Sequence, residues 1–211
     1  MRTLLVLLGG LAVLGQAQTT EREARREIER KAIKQARREA KRYKKAGFDV
    51  TPGSLPLEKQ LEYTWIKLYQ RDAEGNAMYL SADGNAIAET RTAAEMQALE
   101  AAKLALAGQL ETFIRAIIEA NIANAQLNTE EATSVTEFLT GAKNIIATAI
   151  GPIEPALKMY RNLPNKNVEV NVKVLASRNQ VLQQAKKQIR EELRERLKNL
   201  QDKVDRLLPL Q

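Results

Sequence analysis

From Thr92 to Leu127 the chain runs 36 residues with no proline and a single glycine, Gly108. Met96, Leu99, Ala102, Leu106, Leu110, Phe113, Ile117 and Ala120 recur three or four apart, and Leu104, Ile114 and Ile118 widen the apolar stripe. That period is helical, and such a helix would be on the order of 50 Å long. Its many alanines admit close approach of a neighbouring element, and a kink near Gly108 is expected. Asn128-Thr-Glu-Glu131 then has the form of a capping box, opening a second helix over 129–150. In that helix Val135, Phe138, Leu139, Ala142, Ile145, Ile146 and Ala149 turn inward. The two helices form an αα-hairpin, ended by Gly151-Pro152 and Pro155.

Strands are expected on either side of this pair. Val168-Glu-Val-Asn-Val-Lys-Val174 places four valines on one face and polar residues on the other, the period of a half-buried strand. Leu157 to Tyr160 alternates in the same way, and the turn-forming residues 162–167 join the two as a hairpin. Residues 77–88 suit one further strand, with Asp83-Gly84-Asn85 as a bulge inside it, after a turn at Asp72–Asn76. The expected fold class is α+β: a small, mainly antiparallel three-stranded sheet (77–89, 155–161, 167–175) packed on the αα-hairpin, with an N-terminal basic helix and a C-terminal helix flanking it.

The last helix is expected from a cap at Ser177 to about Leu208. Leu182, Ala185, Ile189 and Leu193 form its first stripe. Leu193, Leu197, Leu200, Val204 and Leu207 then follow the 4-3-4-3 spacing of a coiled-coil seam. Two heptads need a partner, which could be the body of the protein, the basic helix or another subunit.

Charge is distributed unevenly. Residues 21–45 hold 12 basic and 5 acidic residues, a net of +7, whereas residues 46–211 hold 20 basic and 21 acidic. The basic segment has no proline or glycine and reads as a helix. Ala24, Ile28, Ala32, Ala36 and Ala40 recur every four residues, with Ile33 and Tyr43 beside them, a narrow stripe suited to shallow packing. Arg22, Arg25, Arg26, Arg30, Lys34, Arg37, Arg38, Lys41 and Arg42 are its candidate contacts for an anionic partner such as lipid head groups or lipopolysaccharide phosphates. The plainer reading is a solvated helix docked on the body or on the C-terminal helix. Residues 47–55, rich in proline and glycine with Pro56, separate it from that body as a loop. Leu57, Leu61, Trp65 and Leu68 then recur at helical spacing. The alternation of Tyr63, Trp65, Lys67 and Tyr69 leaves open a strand with an aromatic face.

Met1-Arg2, an apolar run to Leu14 and small residues at Gly15 and Ala17 have the form of a secretory leader cleaved after Ala17. A retained anchor is the alternative. The domain plan is therefore a leader over 1–17, a basic helix over 18–46, a loop over 47–55 and an α+β domain over 56–211. The chain contains no His and no Cys, which excludes imidazole bases, thiol nucleophiles, disulfides and the usual zinc and haem sites. Neither a phosphate-binding glycine loop nor a Ser-x-x-Lys is present. The carboxylate pairs Glu89 with Glu95, Glu130 with Glu131 and Glu191 with Glu192 fall on helix ends or solvated faces. No catalytic, metal-binding or cofactor-binding residue is expected.

Gly84-Asn-Ala-Ile-Ala88, followed by the alanine-spaced helix with Ala93, Ala94, Ala98, Ala101, Ala102 and Ala107, resembles the small envelope lipoproteins of the Helicobacter surface-antigen type. Leu163-Pro-Asn-Lys166 with its valine strand is similar to exported proteins of Bacteroides-type bacteria. The resemblance covers roughly residues 56–195 and implies a Gly/Ala-rich strand running into a long helix, then a strand followed by a terminal helix. Those lipoproteins are anchored through a lipidated Cys, which this chain lacks. The expected function is that of a non-enzymatic, exported cell-envelope protein, in the periplasm or at the outer membrane of a Gram-negative bacterium. It would act through a protein partner or as a homo-oligomer. The alternative is a peripheral binder of anionic lipid or lipopolysaccharide through the basic helix. No nucleic acid is expected, because the segment lacks interleaved aromatics.

Overall fold

The structure, a computed structural model, describes the backbone of residues 10–210 and the side chains of residues 22–210. Residues 1–9 of the expected leader lie outside the described residues. The fold is α+β, with a three-stranded antiparallel sheet in the order β1-β3-β2. In chain order the elements are α1 (Gly10–Lys45), α2 (Leu57–Tyr69), β1 (Tyr79–Ala88), α3 (Arg91–Asn121), α4 (Thr129–Thr140), α5 (Ala142–Ile150), β2 (Pro155–Asn162), β3 (Val168–Ser177), α6 (Arg178–Arg196) and α7 (Val204–Leu207). The period that alone left α2 ambiguous resolves as a helix, so its aromatic residues do not share one strand face.

The valine alternation decides which way the sheet faces. Ala82 pairs with Val174 and Gly84 with Val172. Leu80, Ala82, Val170, Val172 and Val174 thus line one face and pack on α3, where Ala94, Ala98 and Ala102 are fully buried. Asp83-Gly84-Asn85 is in register throughout and forms no bulge. The glycine is needed because the strand lies against the α3 backbone: a Cβ at Gly84 would sit 1.9 Å from the Ala98 carbonyl oxygen.

The helical hairpin is shorter and more broken than its periodicity suggests. α3 runs unbroken through Gly108 and ends at Asn121, followed by a turn that places Gln126 at φ 54°. The expected helix over 129–150 divides at Gly141 into α4 and α5. α3 alone of this group lies along the sheet, whereas α5 packs between α3 and α6. The capping box forms as expected: Asn128 Oδ1 accepts from the Glu131 N–H at 2.9 Å, and Glu131 accepts from the Asn128 N–H at 2.8 Å.

The expected single helix over 177–208 is corrected. Ser177 occupies the N-cap position without a side-chain capping bond, and α6 stops at Arg196. A 3₁₀ turn at Lys198–Leu200 and the short α7 then fold the chain back on itself. The reversal buries Leu200, Val204, Leu207 and Leu208 completely in the main core. Backbone carbonyls at the end are tied to α6: Arg190 donates to Leu208 O at 2.9 Å and Lys186 to Pro209 O at 3.1 Å. Burial, and secondarily the nearby Arg190 charge, lowers the pKa of Lys186.

Lys203 completes the closure by pairing with Glu131 at 2.7 Å. The Lys203 hydrogen bond, and then the Asn128 N–H, hold the Glu131 carboxyl below its ordinary 4.5. A carboxyl depressed on folding stabilises the fold fully above its unfolded value and loses that contribution as pH falls through the folded one. Urea midpoints are therefore expected to decline on acidification below about pH 4.5, with a shallower decline in Lys203→Met.

Candidate functional site

The basic helix is docked, and its two faces differ completely. Ala32, Ala36 and Ala40 are buried at successive turns of α1, where i and i+4 share a face. Ala36 and Ala40, together with Phe48, Leu57, Leu61, Leu157 and Met159, form a second, smaller core. This core lies on the side of β2 opposite α3, because Leu157 and Met159 alternate with Lys158 and Tyr160 along the strand. Tyr43 meets Phe48 edge-on at 5.9 Å. Trp65 on α2 donates its indole N–H to Glu39 at 3.0 Å, and Arg37 pairs with Glu58 at 3.2 Å. The loop over 47–55 is stitched down rather than hanging between two units: Asp49 and Tyr160 exchange both backbone hydrogen bonds at 2.8 Å.

With the alanines inward, the cations must point out. Arg22, Arg25, Arg26, Arg30, Lys34, Arg37, Arg38, Lys41 and Arg42 are all exposed, as are Lys31, Lys44 and Lys45. From Arg30 to Lys45, about 24 Å of helix at 1.5 Å per residue, the outward face carries no carboxylate. Glu39 is turned toward Trp65, and the last acid on the outer side, Glu27, is taken by Lys31 at 2.7 Å. The Lys31 hydrogen bond and charge lower the Glu27 pKa. Arg30 and Lys34, Lys34 and Arg38, and Lys41 and Lys45 are four apart in sequence. Like charges at that spacing cost a helix a few tenths of a kcal/mol each. The last turn, with Arg42, Lys44 and Lys45, recovers some of this from the helix dipole. An anionic surface would convert the remaining repulsion into attraction.

The outward face is also free of large apolar side chains, so it suits head-group contact rather than insertion into hydrocarbon. Among the described residues, no helix is long and apolar enough to cross a membrane.

The other candidate surface is not available. Leu193, Leu200, Val204 and Leu207 are fully buried within their own chain, and Leu197 is half-buried against the same core. The 4-3-4-3 spacing is real, but the chain reversal after Arg196 supplies its partner internally. The carboxylate pairs do not converge either. Glu95 pairs with Lys158, Glu131 with Lys203 and Glu192 with Arg196. Among the described residues, no group of three acidic side chains could hold a metal ion.

One arrangement was invisible in the sequence. Beside the cationic helix, the part of the sheet that α2 leaves uncovered carries a polar network. Asn85 donates to Asn171 at 2.9 Å and to Glu169 at 2.8 Å, Arg161 pairs with Glu169 at 2.7 Å, and Lys173 pairs with Asp83 at 2.6 Å. Burial pushes the Glu169 carboxyl up, but the hydrogen bonds from Asn85 and Arg161 outweigh it and leave the pKa below its ordinary value. The Asn85 and Asp83 contacts join β1 to β3 across more than eighty positions, so no local spacing announces them. No protein-family model matches the chain, and neither does any curated protein or solved structure.

Proposed function

We propose that this is a non-enzymatic protein of a bacterial cell envelope that binds phosphate-bearing anionic surfaces, lipid or lipopolysaccharide, peripherally through the outward face of α1. The observation that carries this reading is the division of the C-terminal half of α1: Ala32, Ala36 and Ala40 face the body, and from Arg30 to Lys45 a carboxylate-free cationic face turns to solvent. A helix that served only to cover the small core would need the first face and not the second. The leader-like start of the sequence and its lack of His and Cys support the exported and non-enzymatic parts. Association through the Leu193–Leu207 seam is set aside, because Leu193, Leu200, Val204 and Leu207 are buried within the chain.

The test is co-sedimentation of the full chain with phosphatidylglycerol-containing vesicles and with purely phosphatidylcholine vesicles. Binding to the first and none to the second is expected. Equal binding to both would overturn the proposal.

A further inference from the structure

The groove between the end of α1 and the uncovered part of the sheet has a different chemistry from the cationic face beside it. Its volume is about 320 Å³, at the small end of the range of ligand sites and suited to a single ring rather than a long chain. Two aromatic side chains, Tyr43 and Trp65, line it from the helices, and Asp83, Asn171 and Lys173 line it from the sheet. Arg42 and Glu39 stand at the α1 side. The charges balance, with two cations against two carboxylates. A bare anion would therefore meet Glu39 and Asp83 as well as Arg42 and Lys173, and the groove gives it no net attraction.

The groove does offer donors and acceptors mixed within a small space, next to aromatic surface. The Lys173 ammonium meets both Asp83 carboxylate oxygens, at 2.6 and 2.7 Å, and of its three protons at least one is left to give. Asp83 is exposed, so its carboxylate keeps acceptor capacity beyond that pair. The Asn171 amide reaches Glu169 only at 3.5 Å and retains donor capacity. Trp65 is held by its bond to Glu39, which fixes an indole that would otherwise be mobile. Neutral ligands that present hydroxyls, each both donor and acceptor, around an apolar ring face satisfy this combination. We infer that the groove formed by Tyr43, Trp65, Asp83, Asn171 and Lys173 is a binding site for a neutral pyranose sugar.

This inference is separable from the vesicle reading, because Asp83, Asn171 and Lys173 lie on the sheet and not on α1. Trp65 is the only tryptophan in the chain, so its fluorescence reports the groove directly. The full chain would be titrated with methyl glucoside, methyl galactoside and N-acetylglucosamine, and with inorganic phosphate. A saturable change with at least one of the sugars, and none with phosphate, is expected. Asp83→Asn, at an exposed position that leaves the core intact, and Asn171→Ala should each weaken that binding. The expected loss is roughly threefold to tenfold, that of one neutral hydrogen bond, with vesicle binding unchanged. No saturable response to any of the three sugars would overturn the inference. So would saturation by phosphate alone, or a sugar response undiminished in both variants.

Discussion

Gly84→Ala is expected to lower the stability of the fold by at least about 3 kcal/mol, at the upper end of what overpacking costs. The added Cβ would lie 1.9 Å from the Ala98 carbonyl oxygen, 2.6 Å from the Ala102 nitrogen and 3.0 Å from the Ala102 Cβ. Two of these are backbone atoms in the middle of a 31-residue helix, so no rotamer change relieves the contact. α3 must instead back away from the sheet, which opens the packing of Ala94, Ala98 and Ala102 on Leu80, Ala82 and the β3 valines. Gly108→Ala is the control within the same helix. Its Cβ would meet Lys143 at an ordinary 3.6 Å, and alanine is the better helix former by roughly 1 kcal/mol. Urea denaturation should therefore show one glycine replacement strongly destabilising and the other neutral or stabilising. Equal effects would mean that the strand does not approach α3 as described.

The second large effect concerns binding. Replacing Lys34, Arg38 and Lys41 together by glutamine is expected to reduce affinity for anionic vesicles by about two orders of magnitude. Each cation near such a surface contributes about 1 kcal/mol, and none of the three takes part in an ion pair among the described residues. All three are exposed, so the fold should be untouched and thermal stability unchanged or slightly raised by relief of like-charge repulsion. Matching loss of binding and of stability would instead indicate that the cations serve the fold.

The elements were legible in the sequence wherever one face decides the period. The valines of β3 alternate because that strand is half-buried, and the alanines of α1 recur because only small residues let it lie close on α2. The Asn128–Glu131 cap was legible because its chemistry is local. The break after Arg196 was not. No proline or glycine marks it, and Leu197, Leu200, Val204 and Leu207 keep a spacing that a straight helix would share. The reversal follows from the unfilled core under the end of α3, a tertiary cause. Gly84 was misread for the same reason. Asp-Gly-Asn is turn chemistry locally, whereas here the glycine answers to a helix lying on the strand. The cationic face could be read as a candidate site from its composition, but not its docking, and the groove beside it depends on residues from α1, α2, β1 and β3 that only the fold brings together.

Peripheral binding through α1 depends on an electrostatic surface turned outward by an alanine face turned inward, and the salt dependence of vesicle binding tests it most directly. Exposed charges are screened over about 8–10 Å near physiological ionic strength. Binding of the full chain to phosphatidylglycerol-containing vesicles should therefore weaken steeply as salt is raised and vanish at high salt. Binding that persists unchanged across the same salt series would contradict it.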